Sequence, residues 1–170
     1  MQRFSENTLR ILEEAGWFPG RHVSTEEFEA YVKQKNDEYE TGHELIPNNT
    51  IKNFLHEFGG LTLTMYRKIP QSPAMDSFRT STRCIPIGVL GTTISVSVED
   101  EEIWIGGEKL YPISNDHDML FNYMSYSGKV YGYCCGSFWE MGESGDAWIE
   151  RTCNFYSGLP CPPKILIHQE

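Results

Sequence analysis

The sequence predicts an α+β fold in one domain spanning residues 1–170: a mostly antiparallel sheet, with N-terminal helices and a C-terminal helix packed beside it. Three observations carry this. Apolar stripes of helical period fill the first third of the chain, alternating β-rich runs fill the middle, and one more helix-period run precedes a Gly- and Pro-rich stop. At 170 residues, 39% hydrophobic and 22% charged, the chain can build a real core and is too apolar to stay disordered. Residues 159–170 follow the stop and read as a C-terminal extension.

The first helix rests on Thr8, Ile11, Leu12 and Ala15, spaced i, i+3, i+4, i+7. It runs into "AGWFPGR" at 15–21. Gly16 suits the left-handed residue that ends a helix, because it has no Cβ to clash. Trp17 then packs back on the last turn near Leu12, and Pro19 cannot continue the helix. The second helix opens on a capping box, Ser24 with Glu27, and on a hydrophobic staple, Val23 with Phe28. It carries Phe28, Tyr31 and Val32 on one side and frays near Gly42. The third begins at Asn48 or Asn49, shows Ile51, Phe54, Leu55 and Phe58 on one face, and stops at Gly59-Gly60.

Strand patterns follow at 61–66, at 94–98, which alternates strictly, and at 103–105 before a Gly-Gly turn. Runs at 119–125 and 129–135 flank Ser127-Gly128 and predict a hairpin. Residues 115–118, Asn-Asp-His-Asp, lie between strand patterns and read as a solvated loop. Residues 144–157 read as a helix with Trp148, Thr152 and Phe155 on one face, ended by Gly158 and the prolines that follow. Lys164 to His168 fits either a last strand or an ordered tail.

No catalytic pattern stands out. The five histidines form no metal motif, the glycines no phosphate loop, and the serines no nucleophile elbow. Five cysteines, two of them adjacent, make neither a disulfide framework nor a zinc site, so reduced thiols are expected. Neither cofactor nor metal is expected. The N-terminus lacks a signal-peptide core and no apolar run is long enough for a membrane span, which predicts a cytoplasmic protein.

Charge bears on the class of partner. The net charge is −10. Residues 1–85 hold 12 acids and 10 bases, whereas residues 86–170 hold 12 acids and 4 bases. Direct binding to nucleic acid or to an anionic membrane is disfavoured, and a basic protein is the natural complement, with solubility alone as the competing reading of the acidity. Seven acids fall between 99 and 118: Glu99, Asp100, Glu101, Glu102, Glu108, Asp116 and Asp118. Trp104 and Tyr111 lie among them. Acids that steer beside an aromatic that anchors make good interface material, and these nine residues are the candidate partner-binding set. For Trp104, burial in the core is the competing reading.

Several segments together resemble a known family. "ILEEAGWFPGR" at 11–21 is similar to the opening "AGW-x-PGR" motif of the third group of the SUKH superfamily of immunity proteins. "NFLHEFGGLTL" at 53–63 resembles that superfamily's helix ending in Phe-Gly-Gly before a strand. "KLYPIS" at 109–114 and "GKVYGY" at 128–133 resemble later strands, and "MGESGDAWIE" at 141–150 loosely resembles the start of the final helix. Ser114 stands where the family has glycine, and the tail beyond Gly158 lies outside the family core. The resemblance implies the α+β fold, a structural role for Gly16, Trp17, Pro19, Gly20 and Arg21, and a function. Bacterial members bind and neutralise toxin domains, often nucleases, of polymorphic or contact-dependent toxin systems, without catalysis. A regulatory or scaffolding interaction module is the alternative, and an enzyme without a recognisable motif is a third reading.

Overall fold

A computed structural model of the chain describes residues 2–38, 46–68, 82–88, 108–116, 120–134, 137–156 and 165–167. The N-terminal helices are α1 (Glu6–Glu14), α2 (Thr25–Glu38) and α3 (Asn49–Phe58). Strands β1 (Thr62–Lys68), β2 (Thr82–Gly88), β3 (Leu110–Asp116), β4 (Phe121–Ser125), β5 (Val130–Cys134) and β6 (Ser137–Gly142) follow. Helix α4 (Gly145–Tyr156) and a short strand β7 (Ile165–Ile167) complete the fold. The seven strands form one sheet in sequence order, and every neighbouring pair is antiparallel.

The helix signals in the sequence act as expected. Helix α1 buries Thr8, Ile11 and Leu12. It ends in a Schellman motif, in which the Gly16 N–H donates to the Glu13 carbonyl and the Trp17 N–H to the Leu12 carbonyl, both at 2.9 Å. Gly16 has φ 93°, where a Cβ would strain the backbone. Ser24 and Glu27 close the capping box of α2: the Glu27 N–H donates to Ser24 Oγ at 3.2 Å, and the Ser24 N–H to Glu27 Oε2 at 3.3 Å. Asn48 caps α3 by accepting from the Ile51 N–H at 3.0 Å. Ile51, Phe54, Leu55 and Phe58 are all buried.

One face of the sheet meets the helices. Leu63 and Met65 of β1, Tyr111 and Ile113 of β3, Met124 of β4 and Met141 of β6 join the apolar faces of α1, α3 and α4 in one core. Trp148 of α4 is wholly buried at its centre. Alternation along the strands sends Leu110, Tyr123, Tyr131 and Phe138 to the other face, where they form a second buried cluster.

Some expectations change. Strands β2 and β6 carry no clear alternation in the sequence, and β2 contains Pro86, which pairs opposite Thr64. Asn115 and Asp116 are the last residues of β3, paired with Gly88 and Ile87, and not part of a loop. Their pairing with β2 extends the strand. Phe155 is 42% exposed and lies under the Arg151 guanidinium, so it is not on the buried face of α4. Residues 165–167 form a strand against β6. The patterns at 94–98 and 103–105, the fraying near Gly42 and the helix stop at Gly158 lie outside the described residues. Among the described residues, no helix is long and apolar enough to cross a membrane.

Candidate functional site

The opening turn is built to hold α3. Phe18-Pro19-Gly20-Arg21 forms a β-turn, with the Arg21 N–H donating to the Phe18 carbonyl at 3.0 Å and Gly20 at φ 82°. Proline second and a positive-φ glycine third are the residues a type II turn requires. The turn aims Arg21 at the end of α3, where Nη1 donates to the Glu57 carbonyl at 2.6 Å and Nη2 to the Gly59 carbonyl at 2.7 Å. A helix C-terminus leaves such carbonyls unsatisfied, and a guanidinium fits them in geometry and charge. Trp17 stacks on Phe58 with 6.4 Å between ring centroids, meets Phe4 edge-on, and donates from Nε1 to Glu57 Oε1 at 3.2 Å. The "AGWFPGR" and "EFGG" segments therefore form one interlocked unit. The Phe18 ring does not take part in that unit, and the residue is 58% exposed.

Of the nine candidate contact residues, the structure describes three. Tyr111 has to be withdrawn as a surface anchor: it is 1% exposed, in the core between sheet and helices. It sits on the face of β3 that packs against the helices, and burial pushes its phenol pKa well above the ordinary value. Glu108 is half-buried just before β3. Its Oε1 accepts from Ser127 Oγ at 3.0 Å and its Oε2 from the Tyr131 hydroxyl at 3.4 Å. Asp116 ends β3, six residues beyond Leu110. At ~3.3 Å per residue the strand carries it roughly 20 Å away from its start. Glu99, Asp100, Glu101, Glu102, Trp104 and Asp118 lie outside the described residues.

Around Glu108 the fold adds a carboxylate that the acidic run does not contain. Burial raises the Tyr131 phenol to about 12, helped by the negative charges of Glu108 and Glu140 on either side. Glu140 comes from β6, and its register opposite Tyr131 brings it there. Lys129 approaches Glu140 at 3.5 Å, a loose and half-buried pair. Glu108, just before β3, and Glu140, on β6, thus lie beside Tyr131 of the β4–β5 hairpin. Only cross-strand pairing joins these two, which lie 32 positions apart in the chain.

No curated protein and no solved structure was found to match the chain. The model of the SUKH-3 immunity protein family matches residues 4–154. That span runs from Phe4, which touches Trp17, to Asn154 in the last helix, and takes in the interlocked turn, six of the seven strands and nearly all of α4. The chain belongs to the SUKH-3 immunity protein family.

Proposed function

We propose that this chain protects a bacterial cell by binding a basic toxin domain, such as a nuclease of a polymorphic or contact-dependent toxin system, in the cytoplasm. It does so without chemistry of its own. Membership of the SUKH-3 immunity family over residues 4–154 carries the reading. The contact surface is the acidic second half, where 12 acids face 4 bases between residues 86 and 170. Glu99, Asp100, Glu101, Glu102, Glu108, Asp116 and Asp118 supply the charge, and Trp104 the anchor. The ~20 Å length of β3 favours a broad acidic surface over a point cluster, which suits a patch of about 800 Å² on each partner. The roles divide as elsewhere: acids speed encounter, and buried aromatics hold the complex.

The test is capture from the source cell with the tagged chain, identification of the captured protein, and assay of that protein's activity with and without the chain. Stoichiometric inhibition by a stable complex is expected. A captured partner whose activity is unaffected by the chain would instead indicate a scaffolding role.

A further inference from the structure

A groove of about 520 Å³ lies between α2 and α3. This is within the range of small-ligand sites, roughly 300–1,000 Å³. Its apolar lining is Phe28 and Val32 of α2, with Ile46 and Pro47 on the approach to α3. Phe28 and Pro47 are buried, while Ile46 is 59% exposed, one of three large hydrophobic side chains so exposed among the described residues. The wall that carries Ile46 is fixed in place. The Tyr126 hydroxyl donates to the Ile46 carbonyl, and Asn48 Nδ2 donates to the Tyr126 carbonyl at 2.8 Å. At the other end His56 donates from Nδ1 to the Val23 carbonyl at 3.0 Å, and its ring lies between Phe28 and His22. The groove is therefore preformed.

Its charge runs against that of the molecule. The chain has 24 acids and 14 bases, yet among the described residues the groove is lined by Lys33 and Lys52 against Glu29. Of the other described cations, Arg3, Arg10 and Lys129 are engaged by carboxylates and Arg21 by carbonyls, Arg151 lies over the Phe155 ring, and Lys109 is exposed with no side-chain partner among the described residues. The ammonium groups of Lys33 and Lys52 have no hydrogen-bond or ion-pair partner among the described residues. An apolar floor with two unengaged ammonium groups at its edge matches one kind of occupant. We propose that the α2–α3 groove receives a partner segment that presents an aliphatic or aromatic side chain next to a carboxylate, the side chain lying on Phe28, Val32, Ile46 and Pro47 and the carboxylate reaching Lys33 and Lys52. That this segment belongs to the toxin rests on the immunity reading above. It gives the complex a second contact, of opposite polarity to the acidic surface, and such a pair of contacts fixes orientation as well as encounter.

The probe is phenylpropionate, titrated into the full chain and followed by amide NMR, with neutral phenylpropanamide as control. The carboxylate is expected to shift Val32, Lys33, Ile46, Lys52 and His56 with a low-millimolar Kd, the strength open to so small a ligand. The amide should bind at least about fivefold more weakly, and the Lys33→Glu, Lys52→Glu double variant should abolish the difference. Both lysines lie on the surface side of their helices, so the fold is retained, which an unchanged spectrum outside the groove verifies. No shifts, shifts elsewhere, or equal binding of acid and amide would overturn the groove assignment and leave the immunity reading standing. With the captured toxin in hand, the same double variant should weaken the complex at least about tenfold. Probe binding as expected together with unchanged toxin affinity would overturn the toxin as occupant. Probe binding together with a captured partner that is not inhibited would overturn the immunity reading alone.

Discussion

Two adjacent residues after α1, Trp17 and Phe18, have separable tasks. Trp17 is 7% exposed, touches Phe4 and Phe58 and bonds Glu57, so Trp17→Ala opens a cavity and orphans part of a network. Truncations of this kind cost about 3–5 kcal/mol, which urea unfolding would show as a large drop in midpoint. Phe18, its neighbour, is 58% exposed, and Phe18→Ala should change stability by no more than about 0.5 kcal/mol. A drop as large as that for Trp17 would mean that the turn depends on the Phe18 ring. Cys153 offers a chemical test on the same scale. It is free and fully buried, and burial raises its thiol to about 12. In native protein it should resist alkylation at neutral pH and become reactive only on unfolding, as mass analysis of labelled peptides would show. The side chains of the other four cysteines lie outside the described residues, so the expectation of reduced thiols stands for them as the sequence states it.

At the scale of elements, α4 is held on both sides by features of differing visibility. Gly145 begins it because a Cβ there would sit 2.4 Å from the Phe54 ring of α3, so Gly145→Ala should cost about 1–3 kcal/mol through overpacking. Further along, Glu150 accepts from the Ser5 N–H at 3.1 Å and from Asn154 Nδ2 at 2.7 Å, joining α4 to the start of α1. Burial pushes its pKa up, but hydrogen bonds from Ser5, Thr8 and Asn154 prevail and hold it below the ordinary value. A carboxyl with a depressed folded pKa contributes its full stability above the unfolded pKa and loses it as pH falls through the folded one. Glu150→Gln should therefore lower stability most at neutral pH, with the deficit closing in acid; thermal unfolding from pH 7 to pH 3 reads this out. Much of this architecture is legible in the sequence, because caps, stops and stripes are local: Ser24 with Glu27, Gly16, and Ile51 to Phe58 each depend on near neighbours alone. Strand β2 is hidden by Pro86, and β6 by the lack of alternation in Ser137–Gly142. Phe155 fits the period of its helix, yet tertiary contacts set the buried arc toward Trp148, Ile149, Thr152 and Cys153. The site follows the same rule. Glu108 belongs to a visible acidic run, whereas Glu140 joins it only through strand pairing, which no local pattern encodes.

Across the whole molecule the governing quantity is the uneven charge. The first half is nearly balanced, at −2, and the second carries −8, so the field draws a basic partner toward one end of the sequence. Such fields act chiefly on association. A basic toxin domain should bind faster at low salt and lose that advantage as the screening length shrinks to about 8 Å at physiological ionic strength. Reversing Glu101 and Glu102 to Lys changes the net charge by +4, from −10 to −6, and places the change within the seven-acid run. Association should then slow by about tenfold at low salt, with a flatter dependence of rate on salt and little change in dissociation. Stopped-flow association at several salt concentrations measures all three, and thermal unfolding checks that folding is intact. Trp104→Ala serves as the counterpart, since an anchor acts after encounter: it should speed dissociation and leave the salt slope unchanged. If the charge reversal leaves the rates unchanged while Lys33→Glu with Lys52→Glu weakens the complex, recognition belongs to the groove between α2 and α3, and the acidity of the second half serves only solubility.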